Sequence, residues 1–240
     1  MAQRARLVVP LAAELTTVAA VVSGLILASV GALAESNASK VGAVSQQEYS
    51  GAVAQMLGGL ERAIHFGNDV FAKDTVRTSD SGSTELQFLD DAKLHIGSNA
   101  SVQLDQYDYD AASGSGSGVL DLFVGAYDFV SGKMHTDDKV KLVTPTVTIG
   151  LRGTAFHVYV AGDGRTDIAV TAGLLSLAPC HGGKVSELAA GQSASVAPNC
   201  SVTVTSNPRS FPKPTYRRDP LHDQGGQGYG GSSSSSGSSS

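Results

Sequence analysis

The chain has 240 residues, of which 41% are hydrophobic and 16% charged, with 28 Gly, 2 Cys and no Trp, enough material for one ordinary domain and hardly two. A net charge of -5 on only 17 Lys and Arg, with no basic cluster longer than Arg217 and Arg218, excludes the concentrated positive face that phosphate neutralisation needs, so no nucleic-acid partner is expected.

Arg4 and Arg6 precede an uncharged run from Leu15 to Ala34, closed by Ala32, Leu33 and Ala34 before Glu35. A basic start, an apolar stretch and small residues at an A-x-A site predict a signal peptide over residues 1–34, cleaved at Ala32 to Ala34. The competing reading is a retained membrane anchor, since 20 uncharged residues can span a bilayer. Membrane contact is expected only in that uncleaved form. On either reading the remainder is exported, to the periplasm or the extracellular space. Without residues 1–34 it carries 15 basic against 21 acidic side chains.

Residues 51–64, GAVAQMLGGLERAI, are the one helix candidate, built on Ala, Met and Leu but weakened by three glycines. From residue 69 onward the apolar period is two. Leu86 and Phe88, Leu94 and Ile96, Val102 and Leu104, Leu120 and Leu122, Val147 and Ile149, Phe156, Val158 and Val160 all fall on alternate positions. That pattern predicts short half-buried strands. DQYDYDAAS at 105–113 reads as a solvated acidic loop, and GSGSG at 114–118 as a flexible divider between strand groups. Asp163 and Gly164 suit a tight hairpin turn. Ala172-Gly173, Gly182-Gly183 and Ala190-Gly191 mark further turns at spacings of about ten residues, the rhythm of a sandwich or β-solenoid. The predicted fold is all-β over residues 41–206, two packed sheets or a short solenoid-like body.

Cys180 and Cys200 are the only cysteines. In an oxidising compartment an even pair in one short stretch predicts a disulfide. Residues 207–220, NPRSFPKPTYRRDP, hold four prolines, and 14 of the 16 residues from Gly225 to Ser240 are Gly or Ser. Regular structure is expected to stop near Thr205, with a Pro-rich and then Gly/Ser-rich tail over 207–240.

Several motifs in order resemble the FecR domain, named after the periplasmic regulator of ferric citrate uptake, over about residues 41–200. They are VGAV at 41–44, GNDVFAKDTVRTSDSGSTELQFLDDAKLHIGSNASVQL from Gly67 to Leu104, LFVGAYDF at 122–129 and TPTVTIGLRGTAFHV from Thr144 to Val158, followed by TAGLLSL and LAAGQ. Thr144, Pro145, Gly150, Arg152, Gly153, Thr154 and Phe156 carry the most specific of these blocks. The chain departs from the family in having Asp91-Ala92 where an Asp-Gly turn is usual, and in an insertion after Val44. FecR-type regulators also place a cytoplasmic anti-sigma segment before the membrane span, and about 14 residues before the apolar run are too few to form one. The resemblance therefore implies an exported FecR domain acting as a protein- or glycan-binding or scaffold module of the cell envelope. The alternative it implies is a sensory component of FecR-type transmembrane signalling in iron uptake.

Among individual side chains, Arg152 stands between Gly150 and Gly153, where close backbone approach and a planar guanidinium suit a carboxylate. The plainer reading is an arginine satisfying carbonyls or an acid at a strand corner. His157 and Tyr159 alternate with Phe156, Val158 and Val160, which puts them on the face away from the core, as a partner or sugar contact or as ordinary solvent-facing side chains. The histidines lack HxH or HExxH spacing, so no zinc site is expected. Asp90, Asp91, Asp105, Asp108 and Asp110 offer oxygen ligands, but the run fails the EF-hand pattern. A carbohydrate-active enzyme would have to use acids such as Asp108 and Asp110. With no G-x-S-x-G elbow and no complete phosphate loop, no catalytic residue and no cofactor are expected, and the chain reads as a non-enzyme.

Overall fold

The computed structural model describes residues 38–48, 51–134, 139–206, 212 and 214. The predicted signal peptide with Ala32 and Ala34, and nearly all of the predicted tail, lie outside the described residues. Among those described, no helix is long and apolar enough to cross a membrane.

The body is all-β, as the period-two pattern predicts. Its strands are β1 (Lys40–Glu48), β2 (Ala52–Met56), β3 (Glu61–Ala63), β4 (Asp69–Phe71), β5 (Asp74–Thr78), β6 (Ser83–Phe88), β7 (Lys93–Ile96), β8 (Ser101–Asp110), β9 (Ser115–Val130), β10 (Val140–Val143), β11 (Val147–Val160), β12 (Thr166–Pro179), β13 (Ser186–Ala189), β14 (Ser193–Val196) and β15 (Val202–Thr205). The only helical element among the described residues is a 3-10 turn at Cys180–Gly182.

Hydrogen bonding joins all fifteen strands into one sheet, but three long strands make it two layers. β9, β11 and β12 each change neighbours halfway. Layer 1 runs β3, β2, β5, β8, the first half of β9, β10, the first half of β11, the second half of β12, and β13. Layer 2 runs β4, β1, β6, β7, the second half of β9, the second half of β11, the first half of β12, β14 and β15. All these pairings are antiparallel except β9 with β10, which is parallel.

Each crossing strand holds a glycine of positive φ where it passes between layers: Gly125 in β9 (117°), Gly153 in β11 (60°) and Gly173 in β12 (80°). Only glycine enters that region without strain. Contact reinforces the requirement at two of them. A Cβ on Gly125 would stand 2.4 Å from the Ala100 Cβ, and one on Gly173 would stand 2.2 Å from the Gly153 carbonyl oxygen. The β9 bend is pinned by Tyr127, whose buried hydroxyl accepts from the Ser101 N–H (3.2 Å) and donates to the carbonyl of Val124 (2.6 Å) or Ser101 (2.7 Å). Burial raises the Tyr127 pKa well above the usual tyrosine value, which keeps this hydroxyl a donor.

The facing sides of the two layers share one apolar core, with Val76, Val102, Leu104, Leu120 and Ile149 from layer 1 and Leu86, Leu94, Phe129, Phe156 and Val158 from layer 2. Phe88 of layer 2 stacks on Tyr107 of layer 1, ring centroids 4.2 Å apart. The Tyr107 hydroxyl donates to the buried Asp90 carboxylate at 2.8 Å. Arg62 and the fully buried Asp74 pair at 2.6 Å, which neutralises the acid inside layer 1.

Three expectations change. Residues 51–64 form the β2–β3 hairpin instead of a helix, because Ala52 and Ala54 alternate into the core and Gly58 (φ 73°) makes the turn that the good helix formers on either side cannot override. The 105–113 run is mostly strand β8, not a loop: Leu104 and Tyr107 are buried, so its acids lie along a paired strand. The GSGSG segment is the start of β9, and its glycines are packing residues. A Cβ on Gly118 would meet the Tyr107 ring at 2.7 Å, and one on Gly116 the Asp108 carbonyl at 2.2 Å. Of the proposed turns, Gly164 (φ 88°) closes the β11–β12 hairpin and Gly182 (φ 73°) lies in the β12–β13 connection, whereas Ala172-Gly173 lies at the β12 bend and Gly191 (φ 82°) joins β13 to β14, which both pair with β12 and not with each other. Asp91 itself adopts φ 67°, so that turn forms without the usual glycine and Ala92 goes into the core.

The disulfide between Cys180 and Cys200 is formed, with a Cα separation of 5.5 Å. It ties the end of β12 to the start of β15.

Candidate functional site

Most residues of the 144–158 block build the corner between layers. Thr144 Oγ1 accepts from the backbone of Thr146 (3.3 Å) and Val147 (3.1 Å) and meets Thr166 Oγ1 at 2.9 Å. Thr146 meets the same Thr166 hydroxyl at 2.9 Å. This buried hydroxyl cluster fixes the turn at Pro145 from β10 into β11. Gly150 pairs with Lys141 and Ser176, Gly153 bends, the Thr154 carbonyl accepts from the Ser131 N–H at 2.9 Å, and Phe156 packs on Phe129. Arg152 projects from the corner, exposed, with Glu187 of β13 at 3.9 Å. An acid at a strand corner is the plainer of its two expected roles.

His157 and Tyr159 lie on the face of layer 2 away from the core, on alternate positions from the buried Phe156, Val158 and Val160. The register places a chemically distinctive row there. Glu85 of β6 is opposite His95 of β7, His95 opposite Asp128 of β9, Asp128 opposite His157 of β11, His157 opposite Ala169 of β12, and Ala169 opposite Ser193 of β14. The next row holds Tyr159 between Ala126 and Asp167. Asp128 pairs with His157 Nδ1, which orients the imidazole. Glu85 accepts from Ser45 Oγ at 2.8 Å and from Lys93 Nζ at 3.0 Å. Arg165 pairs with Asp167.

His95 is 3% exposed and Glu85 9%, low values for charged or titratable side chains outside the core. Burial lowers the His95 pKa, opposed by the negative charges of Asp128 and Glu85. The row therefore offers an oriented, half-buried carboxylate–imidazole pair beside Tyr159, able to donate and accept hydrogen bonds and to stack on a partner. Sequence reading missed Glu85, His95 and Asp128. The signal was present for two of them, since His95 and Asp128 are titratable residues flanked by apolar ones, in Leu94-His95-Ile96 and Tyr127-Asp128-Phe129.

The acids considered as oxygen ligands are engaged separately. Asp105 pairs with Lys73, Asp91 with Lys133 at 2.5 Å, Asp110 with Ser113 Oγ at 2.6 Å, and Asp108 accepts from Gln106 at 2.7 Å. Among the described residues the one His/Cys/Asp/Glu group of ligating spacing is Cys180, His181 and Cys200. Its two sulfurs are bonded to each other, which removes the thiolates a metal would need.

Residues 74–176 match the family model described as FecR protein, a narrower span than the 41–200 of the motif resemblance. It opens at β5 and closes within β12, so it contains all three bends. No curated protein gives a significant match. Two crystal structures of a proposed anti-sigma factor from Parabacteroides distasonis ATCC 8503 are similar, at 12% and 13% identity with TM-scores of 0.46 and 0.45, each over 55% of this chain. The chain spans 59% of the length of those structures.

Proposed function

Because the chain carries a FecR domain over residues 74–176, we propose that it is the envelope-side sensory component of a FecR-type transmembrane signalling pathway. It acts by binding a partner and not by catalysis. The family match carries this reading and favours signalling over a free-standing binding or scaffold module, which the motif resemblance alone placed first. The formed disulfide suits an oxidising compartment, and it supports a periplasmic or otherwise exported location.

The binding surface in this reading is the layer 2 face around His157, Tyr159 and Asp128, with an envelope protein as the partner. Tyr is among the side chains enriched at protein interfaces, and Tyr159 stands half-buried on this face, in the row beside the oriented His157. Arg152, at the corner, serves the bend and the Glu187 contact.

Deleting the gene and profiling transcripts tests the proposal. A defined gene set should change expression and return when the full chain is supplied again. An unchanged transcriptome under both iron-replete and iron-starved growth contradicts it.

A further inference from the structure

The corner where β12 ends and β15 begins brings two sulfurs and an imidazole together. The ligand atoms of Cys180, His181 and Cys200 all lie within 4.8 Å of one another, and the two cysteine Cα atoms are 5.5 Å apart. Backbone hydrogen bonds hold both cysteines independently of the bond between them. Cys180 donates its N–H to the Thr146 carbonyl at 2.9 Å. Cys200 closes a tight turn, donating to the Ala197 carbonyl at 2.8 Å while Ala197 donates to the Ser201 carbonyl at 3.0 Å. Asn199 Oδ1 braces the same turn by accepting from the Ser201 N–H at 3.1 Å. His181 takes a left-handed backbone, φ 60°. In extended strand its ring would point to the side opposite Cys180; the left-handed turn lets it lie beside the sulfur instead.

With the disulfide formed, no thiolate is on offer. Reduction changes the donor set: the S–S bond takes up two electrons and two protons from a dithiol, which itself becomes a disulfide, and two thiols remain on positions fixed by the backbone. Two thiolates and an imidazole suit the borderline-soft Zn²⁺ ion. A tetrahedral zinc holds two sulfurs about 3.8 Å apart, and sulfur and nitrogen about 3.6 Å apart. The imidazole therefore needs to approach by about 1 Å at most, and His181 is exposed, so its ring has room to turn.

We propose that Cys180, His181 and Cys200 form a zinc site that exists only in the reduced chain, with the fourth position open to water. The corner then holds either a disulfide or a metal ion. Binding releases the two thiol protons to solvent. Two-electron oxidation of the bound thiolates, by a disulfide that is reduced to a dithiol, re-forms the S–S bond and expels the zinc. The inference does not rest on the signalling proposal, since it concerns the purified chain alone.

Anaerobic metal titrations of the full chain, reduced with a phosphine that is then removed, test it. Co²⁺ should bind one to one and give both thiolate-to-cobalt charge transfer and the intense visible bands of a tetrahedral ion, and Zn²⁺ should abolish both. The disulfide-bonded chain should show neither. His181→Ala should weaken zinc binding by about ten-fold or more, whereas replacement of an exposed histidine elsewhere, His65→Ala, should leave it unchanged. An ion that binds the folded state stabilises it by mass action, so zinc should raise the urea midpoint of the reduced chain and leave that of the oxidised chain where it was. A reduced chain whose midpoint ignores zinc overturns the proposal. Equal affinity in His181→Ala also overturns it, as does equal binding by the oxidised chain.

Discussion

The two outer faces are made by neighbouring halves of the same strands, yet they differ in kind. On layer 1 the row Thr75, Gln103, Asp121, Val143 and Thr148 is half-buried throughout. The Asp121 carboxyl is held above the usual value by partial burial, with repulsion from Asp105 adding and Lys73 opposing. On layer 2 the corresponding side holds His95 and Ser193 at 3% and 1% exposure. Alternation alone makes both faces polar. Only the second brings titratable groups into register across four strands, which is why it is the surface proposed for contact.

The contrast depends on the bends, and the largest predicted effect breaks it there. Gly173→Ala forces a Cβ into the Gly153 carbonyl at positive φ, with an expected cost of about 3 kcal/mol or more, measured by urea unfolding. A cost under about 1 kcal/mol would mean that the layers are not locked at this point. Reducing Cys180–Cys200, or replacing both by Ser, opens a 20-residue separation and should remove about 3 kcal/mol on the loop-entropy model, read from the same curves with and without reductant. Tyr127→Phe leaves the Ser101 and Val124 groups of the β9 bend short of a partner and should cost about 2 kcal/mol.

A pH series sharpens the contrast between faces. The folded state keeps His95 neutral by burial, so its pKa lies below the ordinary 6.5. Above that value both folded and unfolded states carry a neutral imidazole and the group contributes nothing. As pH falls below it, the unfolded chain takes the proton more readily and stability declines until the folded pKa is passed. Asp128 and Glu85 oppose burial by favouring the charged ring, without cancelling it. His95→Gln should flatten that window in urea titrations at pH 5 to 7, about the range where histidine titrates; an unaltered slope would place His95 in solvent. The smallest effect is Arg152→Ala. Its exposed 3.9 Å contact with Glu187 should be worth under about 0.5 kcal/mol, and a loss several times larger would make the guanidinium part of the bend.

Much of this architecture is legible in the sequence. The alternation of Phe156, Val158 and Val160 sets the strand and the facing of His157 and Tyr159, and the paired cysteines announce their bond. What escaped has physical causes. Ala, Met and Leu at 51–64 favour helix locally, but burial of Ala52 and Ala54 against layer 1 decides for a hairpin. The Gly/Ser alternation at 114–118 has linker composition, and only the ring of Tyr107, brought over it by β8, reveals that the glycines are needed for contact. Gly125, Gly153 and Gly173 look alike as turn formers, and nothing local says that they bend continuous strands. Glu85, His95, Asp128 and His157 are spread over 73 residues of sequence, so their row depends on pairing that no single segment encodes.

Complementation of the deletion strain with face-specific variants tests the central claim most directly. With transcript levels as readout and exported protein held equal, the full chain should restore expression, as should a layer 1 variant carrying Gln103→Ala and Thr148→Ala. The layer 2 variant carrying His157→Ala and Tyr159→Ala should fail to restore it. Equal restoration by both variants would contradict the assignment of function to the layer 2 face.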